Sequence, residues 1–472
     1  MHYILLDFGS TFTKAAVVDV DEKRVIYTTK TVSTVSTDAR IAMEACYANI
    51  KAEIGNSAFE AARKMATSSA AGGLRMVVAG LTYSLSLAAG KNAAFGAGAK
   101  ILKTFARRLT PEDIAEIESL NVEIILICGG YEEGNIQDIL HNVDMLSKSK
   151  ISVPFIYAGN STAAKAASGC LRAYNKTRYI SQNIIPRIGV LNARPTEQII
   201  RSIFLERIVN MKGLGTIKSG LDNAIIPTPA AVLEAGNLLS CGTKTSPGLG
   251  PLMVVDIGGA TTDVHTFCLP RSADNAKIIG SPEPYAKRTV EADLGMRESS
   301  CLIMEQIGYD NVSKELGISE EHLCAAINNR VNNIGFLPEN REQIKDVYEE
   351  QELAIDHKLS VLASNIAVRR HAGCLEPRQS KVCSLLQHGK NLEDIRLVIG
   401  TGGPIINSRN PAHILRETLK SDHDRKFNIL LPKNIDRLVI DADYIMYAMG
   451  ILKDYDPDVA LTIMKNSLRD VA

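Results

Sequence analysis

Two short segments half a chain apart share one pattern, and this repetition constrains the fold more than any other feature. Residues 4–14 read ILLDFGSTFTK and residues 254–263 read VVDIGGATTD. In each, an apolar strand ends in an aspartate, and glycine and small hydroxyl residues then lead into a second strand. Glycine lets a hairpin backbone approach a phosphate without a Cβ clash, and backbone N–H and hydroxyl groups donate to phosphate oxygens. One copy would suit a plain β-turn, but two copies predict a pair of phosphate-binding hairpins and therefore ATP binding.

The chemistry of such hairpins identifies the candidate ligands. Asp7 and Asp256 end the two apolar strands and would hold hydrated Mg2+, because this ion keeps several waters and takes few carboxylates. Lys14 adds a point charge suited to phosphate. A third segment, GTGGP at 400–404, follows an apolar run and precedes a helix, so it suits the adenosine and α-phosphate of a nucleotide. The predicted nucleotide-binding residues are Gly9, Ser10, Thr11, Thr13, Lys14, Gly258, Gly259, Ala260, Thr261, Thr262, Gly400, Thr401, Gly402, Gly403 and Pro404.

Length and charge exclude several classes of protein. At 472 residues the chain is too long for one core, so two to four domains are expected. Its 53 Lys and Arg residues balance 53 Asp and Glu residues, which argues against binding to nucleic acid or to an anionic membrane. The absence of a signal peptide, of a run of about 18 apolar residues and of any CxxC pair predicts a cytoplasmic protein without a membrane span, disulfide framework or zinc ribbon.

Short β-type runs alternate with longer helical patterns, which predicts an α/β protein. A first unit is predicted over residues 1–183, and a second over 184–436 with a helical insert at about 297–390. A C-terminal connecting helix region is predicted over 437–472. Apolar residues three and four positions apart predict helix from residue 36 to residue 67.

This order of motifs resembles the superfamily of acetate and sugar kinases, heat-shock 70 chaperones and actin. The resemblance implies two ribonuclease-H-like lobes of the actin-like ATPase kind, around a nucleotide cleft with hinge motion. By this likeness, residues 7–14 and 256–263 look like the two phosphate motifs and 400–404 like the adenosine motif. Residues 158–165 look like the first connecting helix, and 442–451 look like the second.

Further segments resemble the glutamate mutase-associated protein L (MutL) family over nearly the whole chain. They include ICGGYEEGN (127–135), IGVLNARPT (188–196), PTPAAVLEA (227–235), EADLGMR (291–297) and RHAG (370–373). The resemblance implies an ATP-driven chaperone or reactivating factor that helps an adenosylcobalamin-dependent mutase, such as glutamate (methylaspartate) mutase, exchange damaged cobalamin. No DxHxxG string occurs, which the cobalamin-ligating fold typically carries, so the cofactor would stay on the partner. The family pattern has a small residue, Asp and two glycines where this chain has Tyr131-Glu-Glu-Gly134.

The resemblance also implies a mechanism. Mg-ATP binds between the two hairpins, and Asp7 and Asp256 order metal-bound water. One of these carboxylates, or Asn160 or Glu291 nearby, positions the attacking water. Hydrolysis then changes lobe closure, and the mutase subunits sense that change.

Three other classes stay open. A small-molecule kinase would share both hairpins but needs a base facing an acceptor hydroxyl, and no acceptor-binding residues can be identified. An actin-like filament ATPase would need extended self-association surfaces. An iron–sulfur activase would need cluster cysteines, and Cys374 and Cys383 from two subunits could supply four. Their spacing is typical of unrelated thiols, so we predict no iron–sulfur cluster. The missing DxHxxG string predicts no bound cobalamin, and the oligomeric state is not predicted.

Overall fold

The computed structural model describes residues 1–471 apart from 36, 70–73, 210–216, 218–219, 223–224, 275, 334–348, 378–384, 422–423 and 425–427. The strands are β1 (His2–Phe8), β2 (Phe12–Asp19), β3 (Arg24–Val32), β4 (Arg63–Ser68), β5 (Arg75–Gly80), β6 (Lys100–Ala106), β7 (Ile124–Ile127), β8 (Phe155–Tyr157), β9 (Arg178–Ile180), β10 (Ile226–Pro227), β11 (Leu252–Ile257), β12 (Thr262–Phe267), β13 (Ala276–Ile279), β14 (Ala286–Glu291), β15 (Cys374–Pro377), β16 (Leu385–His388), β17 (Leu397–Thr401), β18 (Arg437–Asp441) and β19 (Leu468–Asp470).

The helices, apart from a π-helical turn at Tyr83–Leu87, are α1 (Ala39–Ile54), α2 (Asn56–Ala61), α3 (Ala88–Gly96), α4 (Pro111–Ser119), α5 (Gln137–Lys148), α6 (Ser161–Ala173), α7 (Arg194–Val209), α8 (Thr228–Cys241), α9 (Ser300–Ile307), α10 (Tyr309–Leu316), α11 (Glu320–Asn332), α12 (Glu349–His371), α13 (Gly403–Ile406), α14 (Pro411–Arg416), α15 (Met446–Leu452) and α16 (Pro457–Ser467). Within the described ranges, none of these helices combines the length and the apolar character that a bilayer crossing requires.

Two sheets share one strand order. In the first sheet, β1, β2 and β3 form an antiparallel meander, and β4 and then β10 continue the sheet in parallel on the other side of β1. In the second sheet, β11, β12 and β14 form the meander, and β17 and β18 continue it in parallel, with β19 at the edge. The chain therefore has the predicted two-lobed architecture of actin-like ATPases, in which each lobe begins with one of the two hairpins.

A third sheet is inserted between β4 and β10. Its strands run in parallel in the order β6-β5-β7-β8-β9, and helices α3 to α6 form the connections. Its central strands β5, β7 and β8 are almost wholly buried, as expected for a parallel sheet with helices on its faces. The sequence does not set this insert apart, because its apolar runs resemble those of the first sheet.

The structure corrects two predictions about helices. Residues 36–67 are not helical throughout, since β4 occupies Arg63–Ser68 and pairs with β1, so that tertiary pairing overrides the local helical pattern. Residues 158–165 are not the first connecting helix, because α6 packs on α5 and on the inserted sheet. That place belongs to α8, which follows β10 and packs against α15, the helix that follows β18.

The packing of α7 bears on the predicted division of the chain at residue 184. Ile200, Ile203 and Phe204 are buried in the same core as side chains of β1 and β5, so this helix packs with the first lobe. A separate core contains side chains of β1, α8, β11 and α15 and so joins the two lobes. We propose that the first lobe extends to Pro227.

The described part of the predicted helical insert at 297–390 contains α9 to α12. These helices pack on the second sheet, where Ile303, Leu323 and Leu359 share a core with Val255 and Val264. Strands β15 and β16 also fall in this range and form a small sheet with β13. The insert is therefore a mixture of helices and strands that encloses one side of the second lobe.

Candidate functional site

A cleft of about 870 Å3 lies between the hairpins β1–β2 and β11–β12. The tips of the hairpins touch, since a Cβ placed on Gly259 would lie 2.6 Å from Oγ1 of Thr11. The predicted residues that line the cleft are Asp7, Gly9, Ser10, Thr11, Lys14, Asp256, Gly258, Gly259, Ala260, Thr261, Thr401, Gly403 and Pro404. The structure thus brings together three segments of the sequence, although the first, at Asp7, and the last, at Pro404, are 397 residues apart in the chain.

The predicted ligands that do not line the cleft lie directly behind it. Thr262 is buried and donates from Oγ1 to the carbonyl of Leu294 at 2.7 Å, so its hydroxyl holds a neighbouring loop. Gly400 is in the buried strand β17. Thr13 is buried, and its hydroxyl has no hydrogen-bond partner among the described residues. These residues shape the walls of the cleft.

Gly402 has a backbone that a side chain could not adopt here. Its φ of +90° lies in the left-handed region, and a Cβ would lie 2.2 Å from the carbonyl oxygen of Ile257. The same Cβ would lie 2.8 Å from Oδ1 of Asp256. The predicted adenosine turn therefore closes against the end of β11, beside the second hairpin's carboxylate.

Backbone hydrogen bonds fix the tip of each hairpin. In the first, Ser33 donates from its backbone N–H to Thr11 at 2.9 Å and from Oγ to the carbonyl of Gly9 at 2.7 Å. In the second, the backbone N–H of Arg297 donates to the carbonyl of Gly259 at 2.8 Å. Because these carbonyls already accept hydrogen bonds, the groups of the tips that remain for a ligand are N–H and hydroxyl groups.

Asp7 is held so that one carboxylate oxygen faces the cleft. Its Oδ1 accepts hydrogen bonds from Thr228 at 2.6 Å and from Thr67 at 3.2 Å. Its Oδ2 lies 3.5 Å from Nζ of Lys14. Thr228 is the first residue of α8, so the connecting helix itself orients this carboxylate.

Lys14 is bound by a residue of the other lobe. Its Nζ donates to the hydroxyl of Tyr444 at 2.8 Å and lies 4.0 Å from the centre of that ring. Burial opposes the charge of Lys14, but Tyr444 and Asp7 more than offset it, so the pKa of Lys14 is raised above its ordinary value. Lys14 therefore stays charged in the cleft.

Asp256 differs electrostatically from an ordinary aspartate. Burial, together with the nearby carboxylate of Asp263, raises the pKa of Asp256 to about 7, although Lys14 acts in the opposite direction. A carboxylate of this kind exchanges a proton near neutral pH, which suits a group that accepts a proton from water.

Asp263 connects the cleft to the inserted sheet. The carboxylate lines the cleft and forms a buried ion pair with Arg288, with contacts of 2.6 and 2.8 Å. Arg288 also donates to the carbonyl of Phe95 at 2.8 Å, in the last turn of α3. A cation at the C-terminus of a helix is favourable, so this arginine joins the second lobe to the insert.

Side chains of α12 and α13 also line the cleft. Leu353 and Ala354 of α12 line it together with Ile406 of α13, and such side chains suit the face of a purine base. His357 also lines the cleft, and its Nε2 lies 2.9 Å from Nδ1 of His413. Burial and His413 lower the pKa of His357, so it is neutral at physiological pH.

The structure does not bring Asn160 or Glu291 into the cleft. Asn160 is fully buried at the carboxyl edge of the inserted sheet, where it caps α6 and donates to the carbonyl of Tyr131 at 2.5 Å. Glu291 forms an ion pair with Arg370 at 2.7 Å. Their positions do not support the predicted role of orienting the attacking water.

The loop that departs from the family pattern also lies on the insert. The carboxylate of Glu132 accepts hydrogen bonds from the backbone N–H and the hydroxyl of Ser161, at the start of α6, and from Asn183 at 2.8 Å. The carboxylate of Glu132 therefore caps the N-terminus of α6, where a negative charge is favourable. Cys374 is exposed in β15, and Cys383 lies outside the described residues.

Sequence reasoning missed several residues of the cleft, and three of them, Thr228, Arg288 and Tyr444, contact Asp7, Asp263 and Lys14. The segments that contain Thr228 and Tyr444 stand out in the sequence, but only as likenesses to a family segment and to a connecting helix. Arg288 gives no signal, because a lone arginine in a short strand is usually solvated. Each of these residues acts through a contact with a residue far away in the chain.

The cleft fits Mg-ATP by its chemistry. Glycines at both hairpin tips leave room for phosphate, and Lys14 supplies charge. Asp7 and Asp256 provide two carboxylates on opposite hairpins, which suits an ion that keeps much of its water. The volume exceeds the lower limit of about 300 Å3 for small-molecule sites.

A family profile described as MutL protein matches residues 3–468. The chain is 36% identical over 468 residues to Protein MutL of Clostridium tetanomorphum, a match that covers 99% of each chain. It is also similar to the activator of the 2-hydroxyisocaproyl-CoA dehydratase of Clostridium difficile, with 9% identity, coverage of 99% and 96%, and a TM-score of 0.27. For a xyloylose kinase of Brucella ovis, the identity is 8%, the coverage 98% and 92%, and the TM-score 0.34.

Proposed function

This chain belongs to the MutL protein family, and we propose on that premise that it is an ATP-hydrolysing accessory protein of an adenosylcobalamin-dependent mutase. It would act as a chaperone or reactivating factor for mutase subunits, such as those of glutamate (methylaspartate) mutase, in the cytoplasm. The observation that carries the ATPase assignment is the contact between two hairpin tips at a cleft that also contains Lys14, Asp7 and Asp256. The mutase assignment rests on the family resemblance.

The residues of the cleft suggest how ATP would be held. The N–H groups of Gly9 and Gly258 close the two turns on the carbonyls of Phe12 and Thr261. The phosphates would therefore lie at the hairpin tips, against the N–H groups of Ser10 and Thr11 and of residues 259–261, and the adenosine would lie toward Gly403 and Pro404. Bound Mg2+, held through water by the two aspartates, would neutralise charge on the phosphates. Lys14 would add a fixed positive charge where negative charge develops.

We assign the proton-accepting role to Asp256, because its carboxylate lines the cleft on the hairpin opposite Asp7. Asp7 is the better orienting group, because two hydroxyls fix one of its oxygens and leave the other toward the cleft. Phosphate release would then loosen the contact between the hairpins, and the lobes would rotate about the connecting helices α8 and α15.

The experiment compares ATP turnover and mutase rescue in parallel. Asp7→Asn and Asp256→Asn should each lower ATP turnover by at least about a hundredfold, while Asp138→Asn on the exposed face of α5 should leave it unchanged. With ATP, the wild-type protein should restore activity to mutase holoenzyme that has been inactivated during turnover, and Asp7→Asn should not.

The two parts of the proposal fail separately. Unchanged turnover in both aspartate variants would show that the site is elsewhere. If the wild-type protein hydrolyses ATP but does not restore mutase activity, the ATPase assignment stands and the mutase role is wrong. ATP consumption that requires an added hydroxyl acceptor would point to a kinase, and ATP-dependent sedimentation would point to a filament.

A further inference from the structure

The hydrogen bond between Lys14 and Tyr444 determines where the phenolic proton of Tyr444 points. An ammonium group has three donors and no acceptor, so the Tyr444 oxygen must accept the 2.8 Å hydrogen bond from Lys14. The phenolic proton of Tyr444 then points away from Lys14. Within the described part of the chain, this hydroxyl has no other hydrogen-bond partner, so one donor remains unused in the cleft.

The surroundings of Tyr444 keep its phenol protonated and therefore able to donate. Burial raises the pKa of Tyr444 above its ordinary value, and although Lys14 lowers it, the net shift keeps the phenol protonated. Accepting a hydrogen bond from a cation also polarises the O–H bond and strengthens it as a donor. Tyr444 lines the same cleft as both hairpins.

The backbone at this position is unusual for an aromatic residue. Tyr444 has φ of +53°, in the left-handed region that bulky residues rarely adopt. Its ring packs edge-on against Tyr447, with centroids 6.5 Å apart and an interplanar angle of 89°. A strained conformation that places a polar group in a cleft is a recurrent property of functional sites.

We propose that Tyr444 is a phosphate-binding residue whose phenolic O–H donates to a terminal phosphate oxygen of a bound nucleoside triphosphate. The assignment rests on the proposed ATP site. Lys14 lies between Asp7 and Tyr444, at the hairpin end of the cleft, so the donor reaches the terminal phosphates and not the adenosine. Lys14 belongs to β2 and Tyr444 follows β18, so one phosphate group would draw donors from both lobes.

The test separates phosphate contacts from adenosine contacts. Calorimetric titration with ATP and with adenosine is carried out on the wild type, Tyr444→Phe and Tyr447→Phe. Tyr444→Phe keeps the ring and should raise the Kd for ATP about tenfold, the value for one hydrogen bond to a charged group, while the Kd for adenosine stays unchanged. Tyr447→Phe is the matched control, because its hydroxyl bonds to the backbone of Leu5 at 3.3 Å and not to Lys14; its Kd for ATP should stay unchanged.

A second variant guards against a folding defect. Asparagine adopts the left-handed backbone readily, so Tyr444→Asn should fold and should weaken ATP binding to a similar degree. An unchanged or lower Kd for ATP in Tyr444→Phe overturns the proposal and leaves the ATP site intact. A wild-type protein that binds no ATP overturns the site and this assignment together.

Discussion

Gly450 of α15 lies directly against the backbone of Ala231 in α8. A Cβ on Gly450 would lie 2.0 Å from the carbonyl oxygen of Ala231, which is closer than any two such atoms can approach. The helices that follow β10 in the first lobe and β18 in the second therefore cross with their backbones in contact. This crossing is the structural candidate for the hinge of the molecule.

Gly450→Ala should lower the free energy of unfolding by about 1–3 kcal/mol or more, because the added methyl group forces the helices apart. Urea unfolding followed by circular dichroism measures the change. A matched control is Gly169→Ala in α6, where no atom lies within 4 Å of the added Cβ. That control should gain about 0.5–1 kcal/mol from helix propensity, and a similar gain in Gly450→Ala would disprove the close crossing.

Arg288→Met should destabilise the protein by about 3–5 kcal/mol, because it leaves the carboxylate of Asp263 buried without its cation. Combining it with Asp263→Asn should cost less than the sum of the two single variants, which a double-mutant cycle in urea would show. Arg437→Met is the control, because its pair with Asp470 is exposed and should contribute at most about 1 kcal/mol. Additive costs for Arg288 and Asp263 would contradict a coupled pair.

Asp256 should make the nucleotide-free, Mg2+-free protein less stable as pH rises toward neutrality. Its pKa is about 7 in the folded state and near 3.8 in the unfolded chain, so between these values the folded state holds a proton that the unfolded state has lost. That contribution to stability is complete below about pH 3.8 and is lost as pH rises through 7. Asp256→Asn should therefore unfold at higher urea than the wild type at pH 8, and the difference should shrink at pH 5.5. If the urea midpoints of Asp256→Asn and the wild type differ by the same amount at pH 8 and at pH 5.5, the pKa of Asp256 is not raised.

His265 should produce the opposite pH dependence. It is fully buried on β12, neither ring nitrogen has a partner among the described residues, and burial and then Arg288 lower its pKa well below 6.5. As pH falls below about 6.5, the His265 imidazole binds a proton in the unfolded state but stays neutral in the folded state. The free energy of unfolding therefore decreases. His265→Leu should add about 1–3 kcal/mol at pH 7.5, since it removes an unsatisfied polar group, and should reduce the loss between pH 7 and 5.5. If the urea midpoint of His265→Leu changes with pH as steeply as that of the wild type, His265 is not the cause of the loss of stability at low pH.

The two hairpins and the glycine turn at 400–404 could be predicted because their backbone requirements are local. Gly9 and Gly259 stand within a few residues of the strands that they join, and the requirement for a small residue next to a phosphate is visible in the sequence. Two predicted helical stretches show the limit of periodicity. Strand β4 pairs with β1, and β15 and β16 in the predicted helical insert form a sheet with β13.

Contacts between distant residues could not be predicted in the same way. Tyr444 faces Lys14 from 430 residues away, and Thr228 binds Asp7 across 221 residues. The raised pKa of Asp256 depends on burial and on Asp263, Lys14 and Asp7 together, and only folding sets their proximity. The correct first connecting helix, α8, likewise depends on strand order, which a single sequence does not reveal.

The sequence by itself determined two hairpins with an aspartate and glycines and a glycine-rich turn at 400–404, because backbone chemistry and hydrophobic periodicity act over short stretches of chain. Its resemblance to a known superfamily predicted the two lobes. Only the tertiary structure decided which helices cross between the lobes, that a separate parallel sheet is inserted in the first, and which side chains complete the cleft. The reason is physical: burial, ion pairing and hydrogen bonding depend on distances in space, and a linear order of residues fixes those distances only after the chain has folded.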